Sequence, residues 1–168
     1  MNVYRSLHHG IQMLCLVLIC SLLACKQTAT CYEPQNVALR GGFYYYDVDQ
    51  KLTDTLLENA VLIFGEGNNY FQQLKQNNRF SFPLSQSKDT VSFVFQADSS
   101  STASDQLDTL QLSYNRELTF ISTACGFQHF FQLQGITYSK HVIDSVIIFT
   151  PAITNDINKQ HLQIVLKD

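Results

Sequence analysis

The chain has no tryptophan, few basic residues and no apolar run long enough to span a bilayer as a helix. Each absence removes a class of function. Indole is a broad stacking platform, so its absence weakens a sugar-binding reading built on aromatic faces. The basic residues of the exported part (Lys26, Lys51, Lys75, Lys88, Lys140, Lys159, Lys167, Arg40, Arg79 and Arg116) are spread out and never clustered. Nothing offers the basic footprint that a phosphate backbone requires, which argues against nucleic acid as a partner. There is no Gly-x-Ser-x-Gly elbow, no phosphate-cradling glycine loop and no His-Glu-x-x-His, and with them go the common hydrolase, nucleotide and zinc-protease chemistries. Pairs such as Asp144-Ser145, or His161 near Asp156, are of the kind that loops of a β domain contain by chance. The expectation is a protein that is not an enzyme and needs no cofactor.

What is present begins at the N-terminus. Met1–Ser6 is short and polar with Arg5 as its only fixed charge, and from Ile11 the chain is almost wholly apolar to Ala24. That order is the one of a secretory signal. Its strictest apolar part, Met13 to Ala24, is short against the roughly 20 residues a spanning helix needs. Leu22-Leu23-Ala24-Cys25 resembles the lipobox of bacterial lipoproteins, in which a small residue precedes the cut and the cysteine sulfur receives a diacylglycerol. The expected organisation is a signal peptide over 1–24, a lipidated tether over 25–36 starting at Cys25, and one domain over 37–168. Loss of residues 1–24 removes Arg5 alone among the charged side chains, so ten basic residues face 14 acidic ones.

The same processing accounts for the cysteines. Cys15 and Cys20 leave with the signal and Cys25 takes lipid, so Cys31 and Cys125 remain in a compartment that oxidises thiols. They are expected to pair, the alternative being two buried free thiols. No C-x-x-C spacing and no grouping of His129, His141 and His161 supports a metal site.

From Val37 the pattern has period two, with Val37, Leu39, Phe43 and Tyr45 on one face and Arg40, Tyr44 and Tyr46 on the other. Gly41-Gly42 inside this strand predicts a bulge or the close approach of another backbone. Asp47–Lys51 reads as a turn, in preference to a calcium loop whose later ligands are missing. Further strands are predicted over 61–64, near Tyr70-Phe71, over 80–84 with Pro83 at its end or on an edge, over 88–95, 107–114, 142–149 and 161–167. Gly65–Asn69 reads as a turn, 97–106 as a surface loop, Asn115-Arg116 as a tight turn into Leu118 and Phe120, and Asp89-Thr90 and Asp108-Thr109 as dipeptides that bond local backbone. Phe127–Leu133 fits a helix or a strand equally. About eight or nine strands and no long helix define an all-β domain, an antiparallel sandwich or else a closed barrel.

Cys31-x-x-Pro34, the strand Asp108–Tyr114, Ala124-Cys125-Gly126 and the last strand resemble a family of small uncharacterised lipoproteins from Bacteroidota. The resemblance implies export and carries no activity with it. Surface-bound lipoproteins of that group commonly have acidic residues after the lipidated cysteine, and Lys26-Gln27-Thr28-Ala29-Thr30 has none. The resemblance thus implies an outer-membrane protein, anchored by lipid and facing the periplasm. Two functions are expected of such a part. One is an accessory role beside an outer-membrane protein or assembly, with the outward aromatics Tyr44 and Tyr46 as a candidate binding surface. The other is a module binding lipid or glycan in an internal cavity.

Overall fold

In the computed structural model the described residues are 30–64, 70–75, 77–100 and 107–167. The chain divides into two compact units, Met1–Cys31 and Tyr32–Asp168, and the architecture below is that of the second. The signal segment, Cys25, the Gly65–Asn69 turn and residues 101–106 of the surface loop lie outside the described residues.

The described strands are β1 (Ala38–Tyr46), β2 (Leu52–Asp54), β3 (Ala60–Phe64), β4 (Tyr70–Leu74), β5 (Arg79–Pro83), β6 (Thr90–Gln96), β7 (Leu107–Ser122), β8 (Gly126–Tyr138), β9 (Ile143–Ile148), β10 (Ala152–Ile153) and β11 (Leu162–Leu166). They form two curled sheets, and no helix occurs among the described residues. One sheet runs β2-β1-β11-β9, with β5 also paired to β1; the other runs β10-β8-β7-β6-β3-β4. Pairing is antiparallel except between β1 and β11, which run parallel. The domain is thus an all-β, two-sheet sandwich, and its edge strands β4 and β5 approach closely enough for Ser81 N to donate to Gln72 Oε1 at 3.3 Å.

Alternation explains which faces meet. In β5, Phe80 and Phe82 point inward between exposed Arg79, Ser81 and Pro83. In β7, Leu110, Leu112 and Tyr114 do the same between Thr109, Gln111 and Ser113. Phenylalanine fills the gap between the sheets: Phe43 stacks on Phe95 with centroids 4.5 Å apart, and Phe82 meets the edge of Phe93 at 5.1 Å. A large side chain fully buried in this way contributes about 1.5–3 kcal/mol of transfer free energy. Gly41 is approached closely, but by a side chain and not by another backbone: a Cβ there would stand 2.2 Å from the Phe80 ring. Pro83 ends β5, on the strand's own terminus.

Three sequence expectations change. There are eleven strands among the described residues, and Phe127–Leu133 is one of them, inside β8. Asn115-Arg116 is no turn: β7 continues through it to Ser122. A register shift between Ser113 and Tyr114 skips Gln134 on the partner strand, and the ladder resumes with Tyr114 opposite Leu133. The chain reverses instead at Thr123–Cys125, where Gly126 takes a positive φ of 70° that only glycine adopts without strain.

Candidate functional site

Cys31 and Cys125 are disulfide-bonded, the pairing expected from the sequence. Cys125 occupies the β7–β8 turn, with its amide donating to Ser122 Oγ at 3.0 Å. Beside the turn the hairpin carries apolar side chains that the core does not use. Leu118, Phe120 and Phe127 are 58%, 54% and 63% exposed. Phe120 pairs across the ladder with Phe127, and their rings meet edge to face at 5.2 Å.

The proposed aromatic surface divides. Tyr46 is partly exposed at 37%, at the end of β1. Tyr44 is buried at 7% exposure and is not the outward aromatic its parity suggested. Its hydroxyl donates to Gln160 Oε1 at 3.0 Å and receives a hydrogen bond from Arg79, whose guanidinium also lies 5.3 Å from the ring centroid. Arg79 Nη2 pairs with Asp54 at 3.1 Å, so β1, β2 and β5 are tied across one sheet face. The absent side chain of Gly42 leaves room for this, since a Cβ there would come within 2.6 Å of Arg79 Nη1. Alongside is an open cleft of about 480 Å³ whose lining includes Arg40, Arg79, Lys159 and Gln160 and no carboxylate.

Two buried titratable side chains went unrecognised in the sequence. Asp108, fully buried, is the more connected. Its carboxylate accepts hydrogen bonds from Ser139 Oγ (2.5 Å) and from the amides of His141 (2.8 Å), Val142 (2.7 Å) and Ile143 (2.7 Å). Burial works to raise its pKa, but these donors outweigh it and hold the group below the ordinary 3.8. The Asp108-Thr109 dipeptide therefore bonds a loop more than thirty residues away and not its own turn. Ser139, His141 and Asp108 have the composition of a catalytic triad without its connectivity. His141 Nδ1 does lie 3.3 Å from Asp108 Oδ1, and 2.8 Å from Leu107 O, but Ser139 donates to the carboxylate and not to the imidazole, so a serine–histidine link is missing. A carboxylate so stabilised is a weak base, and the arrangement secures a loop.

His161 is also fully buried. It lies just before β11, where its Nδ1 accepts from Arg40 N at 2.9 Å while its own amide donates to Arg40 O at 2.8 Å. Its Nε2 has no hydrogen-bond partner. Burial, with the nearby Arg40 charge, lowers its pKa to about 4, so the ring is neutral under ordinary conditions. His129 is half-buried, and His141 and Asp144 are exposed. No group of three metal-ligating side chains occurs among the described residues.

The fold and these features define an all-β sandwich domain bearing one disulfide. The chain belongs to a family of unknown function, DUF6452, whose match covers residues 60–166, from the start of β3 to the end of β11. Cys125 falls within that span; Cys31, Tyr44 and Tyr46 precede it. No curated protein and no solved structure matches the chain.

Proposed function

We propose that the protein is a non-catalytic lipoprotein of the bacterial cell envelope, of the Bacteroidota type that the sequence resembles. It is anchored to the outer membrane through lipid on Cys25, faces the periplasm and serves as an accessory to an outer-membrane protein or assembly. The observation that carries the interaction role is the edge strand β9. It ends its sheet, paired on one side with β11, and reads Ile-Asp-Ser-Val-Ile-Ile with one charge. Beyond Val146 and Ile148, which pack on the core, Ile147 and the following Phe149 are exposed. An unpaired strand edge with exposed apolar side chains accepts a strand or an apolar patch from a partner. The two buried titratable groups support the non-catalytic reading, because both are used to bond backbone.

A photo-crosslinker at Ile147, in intact envelopes, is expected to yield one discrete adduct that Phe149→Lys abolishes. A crosslinker at Val48, in the β1–β2 turn, should yield none. Equal labelling from both positions, or none from Ile147, would remove β9 as the interface. A second reading, binding of an anionic glycan, is favoured by the open cleft beside Arg40, Arg79 and Lys159. Envelope glycan retained by the purified protein and lost in Lys159→Glu would favour it over the first.

A further inference from the structure

We infer that the tip of the β7–β8 hairpin is a membrane-contacting surface, pressed into the interfacial layer of the bilayer that holds the lipid anchor. The inference rests on the reading of Cys25 as lipidated. Cys31 lies six positions after Cys25, and an extended chain spans at most about 3.6 Å per residue. Cys31 thus stays within roughly 20 Å of the lipid attachment. Because Cys31 and Cys125 are disulfide-bonded, the hairpin turn is held within that reach and cannot swing away with the rest of the domain.

The side chains at this end suit the location. From Leu118 to Gln128 there is no Asp, Glu, Lys or Arg. Charges are the groups most expensive to bring toward hydrocarbon. On one hairpin face Leu118, Phe120 and Phe127 are exposed, with Phe120 directly opposite Phe127. Gln128 donates to Pro34 O at 3.3 Å, and Gln35 to Val37 line an open cleft with Leu118 and Phe127, so the segment following Cys31 lies along this end of the hairpin. Leu118, Phe120 and Phe127 remain more than half exposed beside it. An apolar surface with its anchor alongside enters the headgroup boundary to a depth of about 5–10 Å, comparable with the last few residues of a strand. The bilayer is favoured over a second copy of the chain because the anchor places it there at every protein concentration.

The chain lacks tryptophan, so one introduced indole is a sole reporter. Lipidated, disulfide-intact protein carrying Phe120→Trp would be reconstituted into phosphatidylethanolamine–phosphatidylglycerol vesicles with and without brominated acyl chains. Val48→Trp, beyond the far end of β1, is the control. The expected result is a blue-shifted emission largely quenched by brominated lipid for Phe120→Trp, no quenching for Val48→Trp, and reversion of the first toward the second when Cys125→Ser is added. If mass spectrometry shows lipid on Cys25 and the protein floats with vesicles, yet Phe120→Trp is unquenched, the inference is wrong and the anchor reading stands. Absence of both lipid and flotation would overturn the anchor reading and the inference with it. A blue shift that follows protein concentration without vesicles would assign the surface to self-association and refute membrane contact.

Discussion

Acidification should destabilise the domain through one side chain, His161. In the folded state its Nδ1 accepts the Arg40 amide, and burial with the Arg40 charge holds its pKa near 4. Protonating Nδ1 would set two donors against each other in a site without water access. In the unfolded chain the ring returns to about 6.5. The folded pKa is the lower, so between these values the unfolded state binds more protons. The stabilisation is present above pH 6.5 and is lost as pH falls toward 4. A shift of that size corresponds to roughly 3 kcal/mol, of which about 2.5 kcal/mol is lost by pH 4.5. That is a large share of the 5–15 kcal/mol typical of domains.

The informative comparison is with His161→Asn, whose Oδ1 keeps an acceptor near the Arg40 amide and does not titrate. Urea unfolding of wild type and variant, followed by far-UV circular dichroism from pH 7.5 to 4.5, gives the difference in pH dependence and cancels the other titrating groups. The variant loses packing and is expected to be less stable at pH 7.5. Its stability should nonetheless fall less than that of wild type by about 2.5 kcal/mol across the interval. Equal losses in the two proteins would refute the assignment of the buried ring as the acid-sensitive element.

Two further predictions concern the other constraints. Asp108→Asn replaces one carboxylate oxygen with an NH2 group, which sets a donor against either the Ser139 hydroxyl and His141 amide or the Val142 and Ile143 amides. It should lower the unfolding free energy by roughly 3 kcal/mol, measured by denaturant titration at pH 7, with Ser139→Ala costing less. Non-reducing peptide mapping should recover Cys31 joined to Cys125, and Cys31→Ser and Cys125→Ser should each cost a similar amount, up to about 4–5 kcal/mol from loss of one long-range cross-link. Two titratable free thiols in protein purified without reductant would contradict that.

The difference between what could and could not be read in the sequence lies in the distance over which each feature is determined. Period two located β5 and the first half of β7 because a strand's facing is decided by the residues beside it. The disulfide was legible because the sequence reading of a signal and a lipidated cysteine would leave two thiols, an argument that needs no geometry. Gly41 was legible as a crowded position, but what crowds it is the Phe80 side chain and not the backbone expected. Tyr44 shows where parity stops being informative. It does point away from the Phe43 side, but Arg79 and Gln160, from positions 35 and 116 residues distant, close over it. An outward position is exposed only if no long side chain from another strand lies across it.

The two Asp-Thr dipeptides make the same point within one sheet. Asp89 precedes β6, is largely exposed and pairs with Arg116 at 2.7 Å. Asp108 sits in β7, which is flanked by β6 and β8, and it is fully buried among four donors from 139–143. Locally the two are alike: a carboxylate, a β-branched residue, then alternating large apolar side chains. Both strands are interior to the sheet; what separates the two residues is that Asp89 precedes its strand whereas Asp108 lies inside its own, beside the loop that follows β8, and neither is written into the dipeptide. A buried carboxylate must find partners or lose its charge, so once β7 is central the chain must bring donors to Asp108, and the amides of 141–143 do so as they lead into β9. The same carboxylate that anchors this loop therefore fixes where β9 begins, and with it the register of the edge strand to which the interaction role is assigned.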